Sequence, residues 1–75
     1  MNHDTLLSVR IGDTGRVRSL SVPEAIKKRF LDLGLTPGTP VTCLYEAPSG
    51  NPKAYLIRGT VIAIRNQDAA LIRLR

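Results

Sequence analysis

One helical segment with clear start and stop signals constrains the fold of this chain more than any other feature. Residues 21–34 read SVPEAIKKRFLDLG. Ser21 and Glu24 form the S-x-x-E pattern of a helix capping box, in which each side chain binds the other residue's backbone N–H. Gly34 is suited to the left-handed conformation that ends many helices. The segment therefore predicts one short helix over about residues 22–33.

Apolar residues recur at helical spacing within this segment and predict a face that packs on the protein core. These residues are Val22, Ile26, Phe30 and Leu33. Charged residues occupy the other side, and we expect Lys27, Lys28 and Asp32 to face water. This division predicts a helix that covers an open side of a larger structure.

Short stretches of alternating apolar and polar residues make up most of the remaining chain and predict β-strands. They cover residues 15–20, 39–47, 53–59, 60–65 and 69–75, with turn residues such as those at 66–68 between them. The side chains expected to point inward are Val41, Cys43, Tyr55, Ile57, Ile62, Ile64, Ile72 and Leu74. Alternation places Tyr45 on the same side as Val41 and Cys43, groups Ala70 with Ile72 and Leu74, and makes residues 15–20, with Val17 between two arginines, a half-buried strand. Strands of this length and spacing suggest a small all-β barrel or sandwich, with the helix inserted between the first and second strands. With 75 residues in total, the chain is predicted to form a single domain over residues 1–75.

The charge balance is basic, with 11 Lys and Arg residues against 6 Asp and Glu residues and a net charge of +5. An excess of this size fits an anionic partner, but it equally fits a solvated surface that happens to be rich in arginine. The positive residues are scattered along the sequence and form no run of five or six like charges, which argues against a dedicated nucleic-acid tail. Three aromatic residues also leave few platforms for base stacking.

The residues that usually carry catalysis or bind metal are sparse and do not converge in this sequence. The single histidine is His3, and the single cysteine, Cys43, lies within an alternating strand pattern that indicates a buried apolar residue and leaves no intramolecular disulfide. Nucleophilic catalysis needs a base oriented beside the nucleophile, and no such pair is evident. The acidic candidates for metal ligation, Asp4, Asp32, Glu46 and Asp68, share no convergent spacing. We therefore predict no enzyme activity, no metal site and no cofactor.

The N-terminal residues MNHDTLLSVRIGD lack the apolar core of a signal peptide, and no stretch approaches 18 consecutive apolar residues. The sequence thus predicts a cytoplasmic protein without a membrane span.

Three motifs resemble, in order, those of the FeoA family. RFLDLGLTPGTPV (29–41) resembles the family's R-L-x-x-L-G-hydrophobic-x-x-G-x-x-V signature, and APSGNP (47–52) resembles its A-P-x-G-D-P loop. GTVIAIRNQDAALIRL (59–74) resembles its closing G-x-x-hydrophobic-A-L-R segment. The chain departs from the family pattern at Phe30, where Leu is usual, at Asn51, where Asp is common, and at Lys53, where many relatives carry an apolar residue. The resemblance covers about residues 6–74.

The resemblance implies a mainly β fold: a small five-stranded SH3-like barrel with one inserted α-helix at about residues 22–33. It also implies a non-catalytic accessory protein of bacterial ferrous iron uptake that acts through protein contacts. The implied partner is the FeoB membrane iron transporter, whose cytoplasmic, GTPase-containing part this chain would bind and modulate. Its location would then be cytoplasmic, or peripheral at the inner membrane through that partner.

Two groups of residues are candidates for the partner-binding surface. If the strands alternate as predicted, apolar side chains point outward at Leu44, Leu56, Val61 and Leu71, and exposed apolar clusters often mark protein contacts. The alternative is that a strongly bent barrel buries parts of both strand faces. The second group is Lys28 and Arg29 on the water-facing side of the helix, which could meet an acidic patch. For Arg29, which matches the family's arginine, the alternative is a salt bridge to Asp32 or a bond to the turn at 34–37.

Two other classes of function stay open on the sequence alone. Small basic barrels also bind nucleic acid, although we expect no nucleic-acid partner here, and a chain of this kind could be the detached regulatory domain of a metal-dependent repressor. Weak self-association also stays open.

Overall fold

Five antiparallel strands form the body of the structure, a computed structural model that describes residues 4–75. The strands are β1 (Thr14–Leu20), β2 (Pro40–Glu46), β3 (Lys53–Ile57), β4 (Thr60–Ile64) and β5 (Ile72–Leu74), and the helices are α1 (Glu24–Asp32) and α2 (Asn66–Ala69), with a 3₁₀ turn at Leu6–Ser8. The strand order in the sheet is β4-β3-β2-β1-β5. This arrangement confirms the predicted mainly β fold with one helix inserted between the first two strands.

The core collects apolar side chains from every strand, from α1 and from the 3₁₀ turn. Its fully buried members include Leu6, Val17, Leu35, Val41, Cys43, Tyr55, Ile57, Ile64 and Ile72. Most of the inward-facing positions predicted from alternation are among them, because a strand with an unbroken period of two places every second side chain on the same face. Ile26 and Ile62 are only partly buried and pack against the edge of this core.

The predicted capping box at the start of the helix is wrong. The helix begins at Glu24, and Pro23 occupies the cap position without a side-chain hydrogen bond. The Pro23 carbonyl accepts hydrogen bonds from the N–H groups of Ile26 and Lys27, at 3.0 and 2.8 Å. Ser21 instead donates its backbone N–H to the Leu71 carbonyl at 2.9 Å, which ties it to the residue before β5 and keeps it out of the helix.

The end of α1 confirms the expected role of Gly34 and corrects the role of Leu33. Gly34 has a φ of +102°, its N–H donates to the Leu31 carbonyl, and the Leu35 N–H donates to the Phe30 carbonyl, both at 3.0 Å. These two bonds form a Schellman motif, which turns the chain back over the last helical turn. As a result Leu35 is completely buried, whereas Leu33, predicted to lie in the core, is 37% exposed.

Two register shifts explain where the predicted strand alternation fails. In β2 the pairing with β3 shifts between Cys43 and Tyr45, so Tyr45 points outward and is 59% exposed, although alternation predicted an inward side chain. Leu44 is half-buried at this shift rather than fully outward-facing. In β1 the pairing with β5 shifts between Val17 and Ser19. A bulge of this kind opposes two residues to one and changes which face the next side chain occupies.

A short helix replaces the turn predicted at residues 66–68. Because α2 covers Asn66–Ala69, Ala69 is buried, and Ala70, predicted to point inward, is only half-buried. The loop at 48–52 holds this helix in place: the Asn51 side-chain oxygen accepts a hydrogen bond from the Asn66 N–H, and the Asn66 side-chain amide donates to the Gly50 carbonyl, both at 3.0 Å.

Replacing Gly34 by alanine should lower the free energy of unfolding more than the same change at Gly12. Both glycines have a positive φ, so each substitution carries a backbone penalty of about 1 to 2 kcal/mol. At Gly34 an added Cβ would also lie 2.6 Å from Cδ of Arg58, whereas nothing lies within 4 Å of one at Gly12. We expect the displaced Arg58 to lose hydrogen bonds, which would increase the loss of stability at Gly34 by about 1 kcal/mol. Urea unfolding of both variants measures the difference, and equal losses would contradict the Arg58 contact.

Candidate functional site

A groove runs between α1 and β4, with a volume of about 380 Å³. Its apolar lining comes from Ile26, Phe30 and Leu33 on the helix and from Ile62, Ala63 and Ile64 on the strand, and its polar rim comes from Arg29, Arg65 and Asp68. The inserted helix therefore covers the sheet only in part, and the uncovered part is a concave apolar surface.

The strand side of the groove is an open sheet edge. β4 is the last strand of the sheet and pairs only with β3 among residues 4–75. The two strands are joined by Arg58 and Gly59, both at positive φ, and the closing residues Ile57 and Thr60 are opposite each other. A two-residue hairpin of this kind makes the closing pair hydrogen-bonded, so the bonding alternates along the ladder. It follows that the backbone groups of Val61 and Ala63 point away from β3, toward the open edge.

The helix side of the groove depends on the way α1 ends. Because Leu35 fills the core position beyond the helix, Leu33 stays at the surface and presents its side chain to the groove. Phe30, which is 94% buried, forms the floor between the groove and the core. The groove wall on this side is thus apolar and partly solvated, as is usual for a surface that another molecule covers.

The rim of the groove carries more positive than negative charge. The guanidinium groups of Arg29 and Arg65 form no hydrogen bond or ion pair with any residue from 4 to 75, and Asp68 supplies the one carboxylate of the rim. The alternative of a salt bridge from Arg29 to Asp32, or a bond from Arg29 to the 34–37 turn, is wrong. Arg58 occupies that turn instead, with Nε donating to the Gly34 carbonyl at 3.3 Å and Nη2 donating to the Thr39 hydroxyl at 3.3 Å.

A second exposed apolar surface lies on the outer face of β3 and β4. Leu56 and Val61 are direct cross-strand neighbours and are 37% and 53% exposed. Tyr45 on β2 extends the same face, because its partner Ala54 lies two residues from Leu56 on β3. This outer face adjoins the groove through β4, because that strand contributes Val61 to the outer face and Ile62 and Ile64 to the groove.

The structure brings together some of the residues predicted for partner binding and separates others. Leu56 and Val61 lie side by side on the outer face, and Arg29 lines the groove. Leu71 is 39% exposed but precedes β5, at the far end of the sheet order from β4. Lys28 is exposed on α1 outside the groove lining.

Sequence reasoning identifies Leu56, Val61 and Arg29 but misses other members of these surfaces. The sequence predicts that Leu33 faces the core, that Tyr45 shares a strand side with Val41 and Cys43, and that Ile62 points inward, and it gives no prediction for Ala63. For Leu33 a signal was available, because a leucine directly after the C-terminal glycine is the residue that a Schellman motif packs inward. For Tyr45 no signal was available, because the register shift depends on how β3 pairs with β2.

The thiol of Cys43 and the phenol of Tyr55 lie in the core. Cys43 is completely buried, and burial raises the pKa of its thiol. Burial also raises the pKa of the neighbouring Tyr55, whose hydroxyl forms no hydrogen bond with any residue from 4 to 75. Residues 4–75 contain no group of three or more metal-ligating side chains, and His3 lies outside the described residues. None of the helices in that range has the length and apolar character needed to cross a membrane.

Comparison with known proteins identifies a family and a fold. The FeoA domain model matches residues 5–75. The FeoA protein from Chlorobium tepidum is 30% identical, with a TM-score of 0.91 over 95% of this chain and 68% of that one. Iron(II) transport protein A from Clostridium thermocellum is 25% identical, with a TM-score of 0.87 over 95% of this chain and 44% of that one.

A third structure defines the fold. FeoA from Stenotrophomonas maltophilia, crystallised with zinc and described as an SH3 domain protein, has a TM-score of 0.83 at 24% identity over 95% of this chain and 88% of that one. This likeness carries the fold alone, and it confirms the predicted SH3-like class. No curated protein sequence matches the chain.

The thiol of Cys43 should react with iodoacetamide roughly a thousandfold more slowly in the folded protein than in denaturant. The reason is that the buried thiol ionises above its usual range and is reached only when the chain opens. Mass spectrometry of alkylated protein over time measures the rate. A Ser49→Cys substitution in a Cys43→Ala background places a thiol on an exposed loop and should react at the rate of a free thiol. Similar rates for the two proteins in native buffer would refute the burial of Cys43.

Proposed function

The chain belongs to the FeoA family, and we propose that it is a non-catalytic accessory protein of ferrous iron uptake that binds the cytoplasmic part of the FeoB iron transporter and modulates it. Family membership supports the role in ferrous iron transport. The partner and the mode of action rest on one observation, which is the apolar groove beside the unpaired edge of β4.

The groove offers three kinds of interaction to one extended segment of a partner. The outward backbone groups of Val61 and Ala63 can continue the sheet by one strand, as in recognition by strand addition. Leu33 and Ile62 provide apolar contacts for alternate side chains of that strand. The unpaired guanidinium of Arg29 favours a carboxylate nearby. A segment that combines extended, apolar and acidic character is therefore the best match.

Binding of such a segment would modulate the transporter through its conformational equilibrium. A ligand shifts an equilibrium only as far as its affinities for the two states differ. If the transporter segment is accessible in one state alone, occupation of the groove stabilises that state without any chemical step. This mechanism needs an open groove and a rigid sheet edge.

The proposal is tested with the purified GTPase-containing part of FeoB and three aspartate variants of this protein. Leu33→Asp places a charge in the groove and should weaken binding about a hundredfold, because a charge buried without a partner costs about 3 kcal/mol or more. Ile11→Asp changes an apolar side chain that is 54% exposed away from the groove and should bind like the wild type. Calorimetry measures the affinities, and circular dichroism confirms that each variant is folded.

Leu56→Asp separates the groove from the outer face of the sheet. Weaker binding by Leu33→Asp than by Leu56→Asp supports the groove, and the reverse order would transfer the proposed site to the outer face. Absence of binding by the wild-type protein would remove the transporter as partner altogether.

A further inference from the structure

The pairing of β1 with β5 gathers four arginines that are scattered in the sequence. Arg16 and Arg18 lie on β1, Arg73 lies on β5 and Arg75 follows it, and all four side chains are exposed. We refer to these four residues as the arginine face. Residues 16–18 and 73–75 are far apart along the chain, so the sequence shows no charge cluster, yet the fold places half of the eight arginines on two neighbouring strands.

The bulge in β1 keeps these side chains on one face. Val17 is opposite Leu74 and Leu20 is opposite Ile72, and all four are buried. Between these two inward pairs, the register shift places both Arg18 and Ser19 against Arg73 on the outer side. The next position is fixed by a hydrogen bond from the Arg75 N–H to the Arg16 carbonyl at 3.0 Å. The alternation on both sides of the inward pair Val17 and Leu74 therefore directs all four arginines outward.

The positive charge of this face is not neutralised within the described chain. Arg16 donates one hydrogen bond, from Nη1 to the Gly38 carbonyl at 3.0 Å. The guanidinium groups of Arg18, Arg73 and Arg75 form no hydrogen bond or ion pair with any residue from 4 to 75. Asp4 reaches the edge of β5 through its carbonyl, which accepts from the Leu74 N–H, but its carboxylate pairs with none of these arginines. Like charges on facing strand positions repel each other, so the fold retains an unfavourable cluster here.

The surroundings of the arginine face decide which anionic partner fits it. The outer edge of β5 is already occupied, because Thr5 pairs with Arg73 and Asp4 binds Leu74, so no peptide strand can be added there. No aromatic side chain lies among the four arginines or their strand neighbours, so this face offers no aromatic platform for base stacking. The site lacks any feature that would fix the direction or register of a chain. What remains is a dense array of positive charge on an open sheet face.

We propose that the arginine face docks on the headgroups of a membrane that contains anionic phospholipid. Such a surface is an extended layer of negative charge that requires no pocket, and each basic residue near it increases the affinity about fivefold. The contact is weak for one molecule, but it raises the local concentration of the protein at the bilayer. The groove on α1 and β4 uses other elements and stays free. The inference stands on the charges alone and does not depend on the identity of the groove's partner.

Sedimentation with lipid vesicles tests the proposal. The protein should bind phosphatidylglycerol-containing vesicles and should not bind pure phosphatidylcholine vesicles. Its binding should weaken as added salt screens the charges. R18Q/R73Q removes two charges from the face and should weaken binding about twenty-five-fold. The matched variant R10Q/K27Q removes two charges elsewhere and should weaken it far less.

A charge-preserving variant separates a lipid surface from a protein ligand. R18K/R73K should retain binding to the vesicles, because a membrane responds to charge. Binding to a protein ligand whose carboxylate is held by the forked guanidinium would instead be lost. Circular dichroism checks the folding of every variant, and R16Q/R75Q replaces R18Q/R73Q if that protein does not fold. Equal losses for R18Q/R73Q and R10Q/K27Q would reduce the effect to net charge and overturn the proposal. So would binding to duplex DNA or to polyglutamate without binding to the vesicles.

Discussion

The left-handed turn at Gly34 is the constraint on which the helix, the groove and the second strand all depend. It ends α1 with two hydrogen bonds, sends Leu35 into the core and leaves Leu33 at the surface. Arg58 from the β3–β4 hairpin then binds the Gly34 carbonyl and the Thr39 hydroxyl, so the hairpin holds the segment that leads into β2. One backbone conformation thereby sets both the packing of the helix on the sheet and the gap between them.

The strands and the helix could be predicted from local signals because these signals act within a few residues. Alternation identified Val41, Cys43, Tyr55 and Ile57 as core residues, since nothing interrupts the period of two over those positions. It failed at Tyr45, where the register with a partner strand shifts. The capping box failed for a similar reason, because Ser21 pairs with Leu71, fifty positions away in the sequence.

The two proposed binding surfaces were harder to predict than the fold because they consist of what the elements leave uncovered. The groove requires that β4 be the last strand of the sheet and that α1 stop short of it. No sequence motif predicts either condition. Only Arg29 among the predicted residues lines the groove. The arginine face requires the pairing of the first strand with the last one. A charge distribution that is diffuse along the sequence is therefore concentrated in space.

The two proposed binding surfaces lie on different elements, so occupation of one leaves the other open. The groove belongs to α1 and β4, and the arginine face belongs to β1 and β5.

The open edge of β4 has a further consequence. Proteins commonly shield such edges from indiscriminate pairing with lysine, proline or a bulge. β4 reads TVIAI, has no charged residue or proline, and pairs with β3 without a register shift. At high concentration, molecules of this protein are therefore prone to aggregate through this strand. A partner bound along β4 would prevent this by pairing with the open edge.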